Sequence, residues 1–150
     1  MQIFAVHWDD PGAASLRAAQ RDEIAQRYGR PDSEPGTPPS ASDIAYFVVA
    51  ADPEGTPLGC GGLRRLDATS GEVKRMYVVP ERRGGGVARA VLAALEDYAR
   101  SLGWTHLRLE TGDGQPDAVA FYTKHGYRPI PRFGHYVDEP SSLCFERTLS

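Results

Sequence analysis

Residues 72–88 read EVKRMYVVPERRGGGVA, and the order of residue types in this stretch decides the fold. Glu72 to Val79 has strand character, and its last four residues, Met76, Tyr77, Val78 and Val79, are all apolar, which predicts a strand end buried on both faces. Pro80 stops it. A short turn then carries Arg82 and Arg83, and Gly84, Gly85 and Gly86 lead straight into Val87 and Ala88 at the head of a helix. Three successive glycines strip the turn of side chains, so backbone amides can come close to a ligand. The first amides of a helix lack internal acceptors and sit at its positive end, which suits them to phosphate oxygens. The two arginines can add charge-assisted hydrogen bonds. Neither the nucleotide P-loop nor the Gly-x-Gly-x-x-Gly dinucleotide fingerprint fits, since no Lys-Ser or Lys-Thr follows and the glycine spacing differs. The plain alternative is a tight strand-to-helix connection with no ligand.

Downstream of the glycines, Val87 to Leu102 is the strongest helical pattern, with Val87, Val91, Leu95, Tyr98 and Leu102 on one face and Gly103 placed to end it. Strands are predicted over His106–Thr111, Tyr127–Ile130 and Ser142–Thr148, with a helix over Pro116–His125. Upstream, Ile44–Ala51 and Pro57–Leu66 flank a turn at Asp52–Thr56 and read as a hairpin, to which Glu72–Val79 adds a third antiparallel strand. The chain opens with a short strand, Ile3 to Trp8, apolar on both faces and therefore expected to be buried. Asp10 and Pro11 read as an N-cap and first helical residue of a helix running to about Tyr28. That helix has only Leu16, Ile24 and Tyr28 as large apolar residues, a narrow stripe that predicts a surface position. The proline-rich stretch Gly29–Ser42 reads as a loop. The order β-α-β-β-β-α-β-α-β-β implies a mixed sheet with helices on its faces, class α/β (α+β).

Length and composition set outer limits. With 150 residues, 41% hydrophobic and 25% charged, the chain is expected to be one globular domain spanning 1–150. Cys60 and Cys144 form no metal-spaced or Cys-x-x-Cys pair, and two isolated thiols suit a reducing cytoplasm. The four histidines lack metal spacing, so no metal is expected. A net charge of −3 gives no footprint for nucleic acid or an anionic membrane. No apolar run approaches the roughly 18 residues of a membrane span, and no targeting segment opens the chain. A soluble, cytoplasmic protein is expected.

The segment 83–88 resembles the acetyl-coenzyme A signature of the GCN5-related N-acetyltransferase (GNAT) family, Arg/Gln-x-x-Gly-x-Gly/Ala, matched by Arg83, Gly86 and Ala88 with alanine in the last place. A second match is QPDAVAFYTKHGYRP, where Gln115 stands at the usual Asn, followed by Tyr122, Gly126 and Tyr127. A third is Glu72, placed where several members of the family carry a general base. The resemblance covers about Gly59 to Pro129. It implies a mostly antiparallel sheet of six or seven strands, helices on both faces, splayed between the strand ending at Val79 and the one starting near His106. Acetyl-coenzyme A would enter there as cosubstrate. Its pyrophosphate would lie on the amides of Arg83 to Ala88, among Arg82, Arg83, Gly84, Gly85, Gly86, Val87 and Ala88, and its pantetheine would pair with Met76, Tyr77 and Val78 like an added strand. Gln115 and Tyr122 complete the implied cofactor-binding set.

The implied activity is acetyl transfer to a primary amine of a small molecule or peptide, by direct attack in a ternary complex. An alkylamine with a pKa of about 10.4 is almost wholly protonated at pH 7, and the departing thiolate needs a proton, so a base and an acid are both required. Tyr122 is the expected acid. A phenol at about 10 lies just above a thiol at about 8.5 and stays protonated at neutral pH. Glu72 is the expected base, acting through a water or with partial burial. Glu110, His135 and Tyr136 are alternatives. The amide of Val78 would hold the oxyanion. Lys74 and Arg75 read as a salt-bridged strand surface, Lys124 as a solvated helix residue with a 3′-phosphate contact as an alternative, and Cys60 as a small core residue. Asp9, Asp10, Asp22 and Glu23 around the first helix would favour a cationic acceptor. Other readings left open are a noncatalytic acyl-CoA-binding module, an acetyltransferase acting on a protein amine, and a homodimer.

Overall fold

The strands between Ile44 and Val78 pair as successive antiparallel neighbours, and the rest of the sheet is laid out from them. The computed structural model describes residues 1–29 and 38–150. Most of the loop expected over Gly29–Ser42 lies outside the described residues. The elements are β1 (Gln2–Ala5), α1 (Pro11–Tyr28), β2 (Ile44–Ala51), β3 (Pro57–Arg65), β4 (Ser70–Val78), α2 (Val87–Ser101), β5 (His106–Gly112), α3 (Pro116–Lys124), β6 (Arg128–Ile130) and β7 (Ser142–Thr148). Among the described residues they form one seven-stranded sheet in the order β1-β2-β3-β4-β5-β7-β6, in which only the β4–β5 pair is parallel. Among the described residues no helix is long and apolar enough to cross a membrane.

Local chemistry accounts for the boundaries. The Asp10 carboxylate accepts from Ala13 N–H at 3.1 Å with Pro11 at the first helical position, and Gly29, at φ 67°, closes α1 in the left-handed conformation. The apolar face of α2 lies on the sheet. Val87, Val91, Leu92, Leu95 and Ala99 join Val48, Leu58, Leu63, Leu107, Leu109 and Tyr122 of α3 in the larger core. The smaller core, on the α1 side, holds Ala13, Leu16, Phe47, Val49, Cys60 and Tyr77. Burial pushes the Cys60 thiol up to about 12, which leaves it inert, as expected of a core residue. Glu96 of α2 is buried but satisfied, its Oε2 accepting from Tyr127 Oη at 2.9 Å and from Arg147 at 2.7 Å.

The first strand departs from expectation. β1 ends at Ala5, and Phe4 is 47% exposed. Its apolar alternation is real, but β1 is the outer strand of the sheet with β2 as its single neighbour, so its two faces are covered only in part.

Two features position the site. First, β4 and β5 share only three registered pairs, Ser70–His106, Gly71–Leu107 and Glu72–Arg108. Beyond Glu72 the strands part. Second, Cys60 pairs with Tyr77 and Gly62 with Lys74, so Arg75 and Met76 together oppose Gly61, a β-bulge with Arg75 at φ 58°. A bulge of this kind bends its strand and adds local twist, here turning β4 away from β5. α1 crosses the parted end, with Gly12 beside Pro57 of β3 and the ring of Tyr28 against the backbone of Gly112 and Gly114 at the end of β5.

The three-pair seam depends on Gly71. A methyl group there would lie 2.7–2.9 Å from Cε3 and Cη2 of the buried Trp104 ring. Gly71→Ala is therefore expected to lose ~1–3 kcal/mol through overpacking, which in a domain of this length lowers Tm by about 2–4 °C for each kcal/mol. Thermal unfolding followed by circular dichroism checks this, and an unchanged Tm would show that the ring is free to move.

Candidate active site

The gap between β4 and β5 is lined on the β4 side by backbone. Val79 N–H donates across to Leu58 O of β3 at 2.9 Å, so by strand alternation the N–H and C=O of Val78 point the other way, into the gap. The carbonyls on this edge are already engaged. Val78 O accepts from Arg83 Nε at 2.9 Å, and Met76 O accepts from Gln20 Nε2 of α1 at 2.8 Å. Tyr77 faces the opposite way, into the smaller core. The strand edge expected to bind pantetheine is thus present, with Val78 N–H turned into the gap and side chains seated on the carbonyls of Met76 and Val78.

At the end of β4 the chain makes a single 3-10 turn over Pro80–Arg82 before the glycines. Gly84 and Gly86 adopt φ 79° and φ 89°, a region open to glycine at no steric cost. Gly86 is the N-cap of α2 and offers no side chain to its amides. Among the described residues nothing accepts from the N–H groups of Gly84 to Ala88. Around Gly84 and Gly86 there is open space where a side chain would stand. A row of unspent donors at the positive end of a 15-residue helix, next to open volume, fits a pyrophosphate. Val87 contributes only its amide, because its side chain is buried in the larger core, against which Ala88 packs.

The arginines divide. Arg82 is exposed beside the loop. Arg83, expected to contact phosphate, is held by protein groups on both sides of the cleft. Besides its bond to Val78 O it pairs with Glu23 of α1 at 2.8 Å, and its guanidinium lies 5.5 Å from the Tyr77 ring centroid.

Tyr122 lies on α3 in the same apolar cluster as Val78 and Val87, 7% exposed, with its ring edge-on to Phe121 and Tyr127. Its hydroxyl makes no hydrogen bond to any described residue. Burial raises its pKa, so it is protonated throughout the neutral range. Gln115 is the N-cap of α3, without a side-chain bond to it, and lies beside Gly112 at the end of β5.

Glu72 lies on the other face of the sheet, because Val73 points into the larger core and its neighbours alternate away. It is 3% exposed. Tyr136 Oη donates to Glu72 Oε2 at 2.6 Å, Lys74 Nζ donates to the same hydroxyl at 3.1 Å, and Lys74 Nζ stands 3.7 Å from Glu72 Oε2. Lys74 is therefore not the strand-surface residue expected from its charge. It is 8% exposed, covered by the second 3-10 turn, Gly134–Tyr136, which brings a buried tyrosine onto it. The spacing of Glu72 and Lys74, two apart on a strand, was the available signal that they share a face. Of the alternative bases, His135 is exposed and Glu110 accepts from Ser142 Oγ at 2.6 Å. Of the carboxylates around α1, Asp10 is spent on its cap and Glu23 on Arg83, while Asp9 is exposed beside His7 and Asp22 is exposed on the helix.

This arrangement can be compared with known proteins. A family model described as the acetyltransferase (GNAT) family matches residues 3–127. An IAA acetyltransferase of Azospirillum brasilense is 42% identical over 108 residues, which are 71% of this chain and 69% of that protein. In five further relatives the matched stretches span 56 to 65% of the relative's length. Among solved structures, a candidate acyl-CoA N-acyltransferase from Klebsiella pneumoniae superposes with a TM-score of 0.84 at 31% identity, covering 99% of this chain and 97% of that one. A GNAT acetyltransferase from Elizabethkingia anophelis with acetyl-CoA bound shares the fold at a TM-score of 0.73 and 16% identity, covering 99% and 97%. The parted strands, the donor-rich loop ahead of α2 and the family match over most of the sequence agree, and the chain belongs to the acetyltransferase (GNAT) family of acyltransferases.

Proposed function

We propose that the protein transfers an acetyl group from acetyl-CoA to a primary amine of a small molecule, by direct attack with both substrates bound. The observation that carries this reading is the row of unspent amides from Gly84 to Ala88 beside a gap with Val78 N–H on its edge, Tyr122 on one face of the sheet and Glu72 on the other. The name of the Azospirillum relative and the bound acetyl-CoA of the Elizabethkingia structure support the choice of donor.

When bound, acetyl-CoA supplies a thioester carbon. The protein's part is to hold, to stabilise charge and to move two protons. Gly84 to Ala88 hold the pyrophosphate, with Arg82 free to join them. Val78 N–H faces the gap, where it can stabilise negative charge developing on the acyl oxygen. The amine attacks in its neutral form, the ammonium having first lost one proton to solvent; as the C–N bond forms and the C–S bond breaks, a further proton leaves the nitrogen and another must reach the sulfur. Tyr136 Oη accepts the proton leaving the nitrogen while passing its own proton along the 2.6 Å hydrogen bond to Glu72 Oε2, with Lys74 Nζ fixing the hydroxyl from the other side. Tyr122 donates the one that reaches the sulfur. The burial that raises its phenol would raise a thiol in the same surroundings, so donor and acceptor stay matched.

Three outcomes are expected. Tyr122→Phe lowers kcat by about 10²–10⁴-fold, the usual worth of a general acid, with acetyl-CoA affinity retained. Full turnover would remove Tyr122 from the mechanism. In Glu72→Gln the rise of kcat/KM with pH disappears, and Tyr136→Phe shows the same altered limb together with a fall in kcat. A wild-type profile in both would move the base elsewhere, with Glu110 next to be tested. Gly86→Val, which forces a β-branched residue to φ 89°, raises KM for acetyl-CoA more than it lowers kcat. Thiol release measured against polyamines, amino acids, aminoglycosides and peptides tests the activity itself, and tight coenzyme binding without turnover on any of them would favour a noncatalytic module.

A further inference from the structure

One buried charge plays no part in the chemistry described above. Arg17 of α1 is 5% exposed, yet its Nη1 is buried without a hydrogen-bond partner, and among the described residues none of its N–H groups is paired. Its guanidinium carbon lies over the Trp8 ring, 3.6 Å from the centroid, with the Phe47 ring centroid 5.3 Å away. The groups around it offer little compensation. Burial, then the like charges of Arg21 and Arg75, disfavour its charged form, opposed by the Cys60 thiol, itself kept neutral, and by Asp9, which is exposed beside His7. One helical turn further on, Gln20 repeats the pattern. Its Nε2 is spent on Met76 O, but its Oε1 is buried and unpartnered. Residues three apart on a helix share a face. α1 thus offers an unsatisfied donor and an unsatisfied acceptor three residues apart, both on the helix that crosses the parted end of β4.

A buried cation without a counterion is costly, and leaving a buried donor unmade costs more than a neutral surface would. Resting on the acetyl-transfer reading, we propose that the amine acceptor carries a carboxylate, held by Arg17, while Gln20 Oε1 accepts a second hydrogen bond from the same molecule. Trp8 covers the guanidinium from one side, and the N–H groups of Arg17 are left without acceptors among the described residues. Those groups form a planar fork of donors, matched to the two oxygens of a carboxylate. Gln20 is fixed to Met76 at the bulge, so a ligand reaching both residues stands next to the strand edge that lines the gap. An acceptor of amino-acid type fits this arrangement, whereas a polyamine would bring positive charge to a site already holding one.

The test uses the full chain and matched acceptors. Phenylalanine, methionine, glutamine and β-alanine are each compared with their methyl esters and with the corresponding decarboxylated amines, scoring thiol release from acetyl-CoA and thermal shift of the CoA-loaded protein. The carboxylate members are expected to be favoured in kcat/KM by about 10–100-fold, the worth of a charge-assisted hydrogen bond. In Arg17→Met that preference collapses through a higher KM for the carboxylate members. The same variant separates binding from bracing, since removing an uncompensated buried charge leaves Tm unlowered, whereas loss of a structural arginine or of its ordered water would lower it. Esters or simple amines used as well as the acids, a preference that survives Arg17→Met, or no carboxylate member active in either readout would overturn the inference. Acetylation of neutral amines with no such preference would leave acetyl transfer standing and remove only the carboxylate, whereas failure to bind acetyl-CoA would remove both.

Discussion

β4 and β5 are held together by three registered pairs, and the structure depends on that pairing being short. A parallel pair running the full length of β4 would spend the N–H of Val78 within the sheet and leave no gap. Two local events end it. The bulge at Arg75 and Met76 turns β4 aside, and the 3-10 turn at Pro80 leads the chain off the sheet to the glycine loop. Everything the proposed chemistry uses lies within reach of this departure: the strand edge, the helix N-terminus and the two faces on which Tyr122 and Glu72 stand.

The buried charges of the protein fall into two kinds. Glu96 receives both the Tyr127 hydroxyl and Arg147, so it ties α2 to the end of the sheet with its hydrogen-bonding capacity used. Glu72 and Lys74 are bridged by the hydroxyl of one tyrosine, whereas Arg17 donates no hydrogen bond to any described residue. Satisfied networks rigidify a core, while unsatisfied ones are retained against their cost. Arg17 is of the second kind, and it lies on the α1 face of the sheet, not on the face where α2 and α3 pack.

Much of the fold was legible in the chain. Apolar periodicity located ten elements in their correct order, and β2 and β7 ran over the residues expected. The glycine loop was visible because three glycines and a strong helix sit together in sequence. What escaped were features set by the third dimension. Lys74 reads as a surface residue in any window of sequence, and only the return of the chain at Gly134–Tyr136 buries it. Arg83 is close in sequence to the glycine loop, and its pairing with Glu23, sixty residues earlier, has no sign in the sequence. The bulge has no signature, since arginine seldom takes a positive φ. β1 carries the apolar pattern of an interior strand, and nothing local to it says that it will be the outermost.

The seating of Tyr28 ties together parts of the chain that are far apart in sequence. Its ring lies where side chains at positions 112 and 114 would be, with Cζ 3.2 Å from a Cβ built on Gly112 and Cε1 2.8 Å from one built on Gly114. These three positions cannot drift separately. A larger residue at either glycine must follow or accompany loss of the tyrosine, so the end of the first helix and the end of the fifth strand vary as one unit, and a change of acceptor that reshapes α1 carries the far wall of the cleft with it.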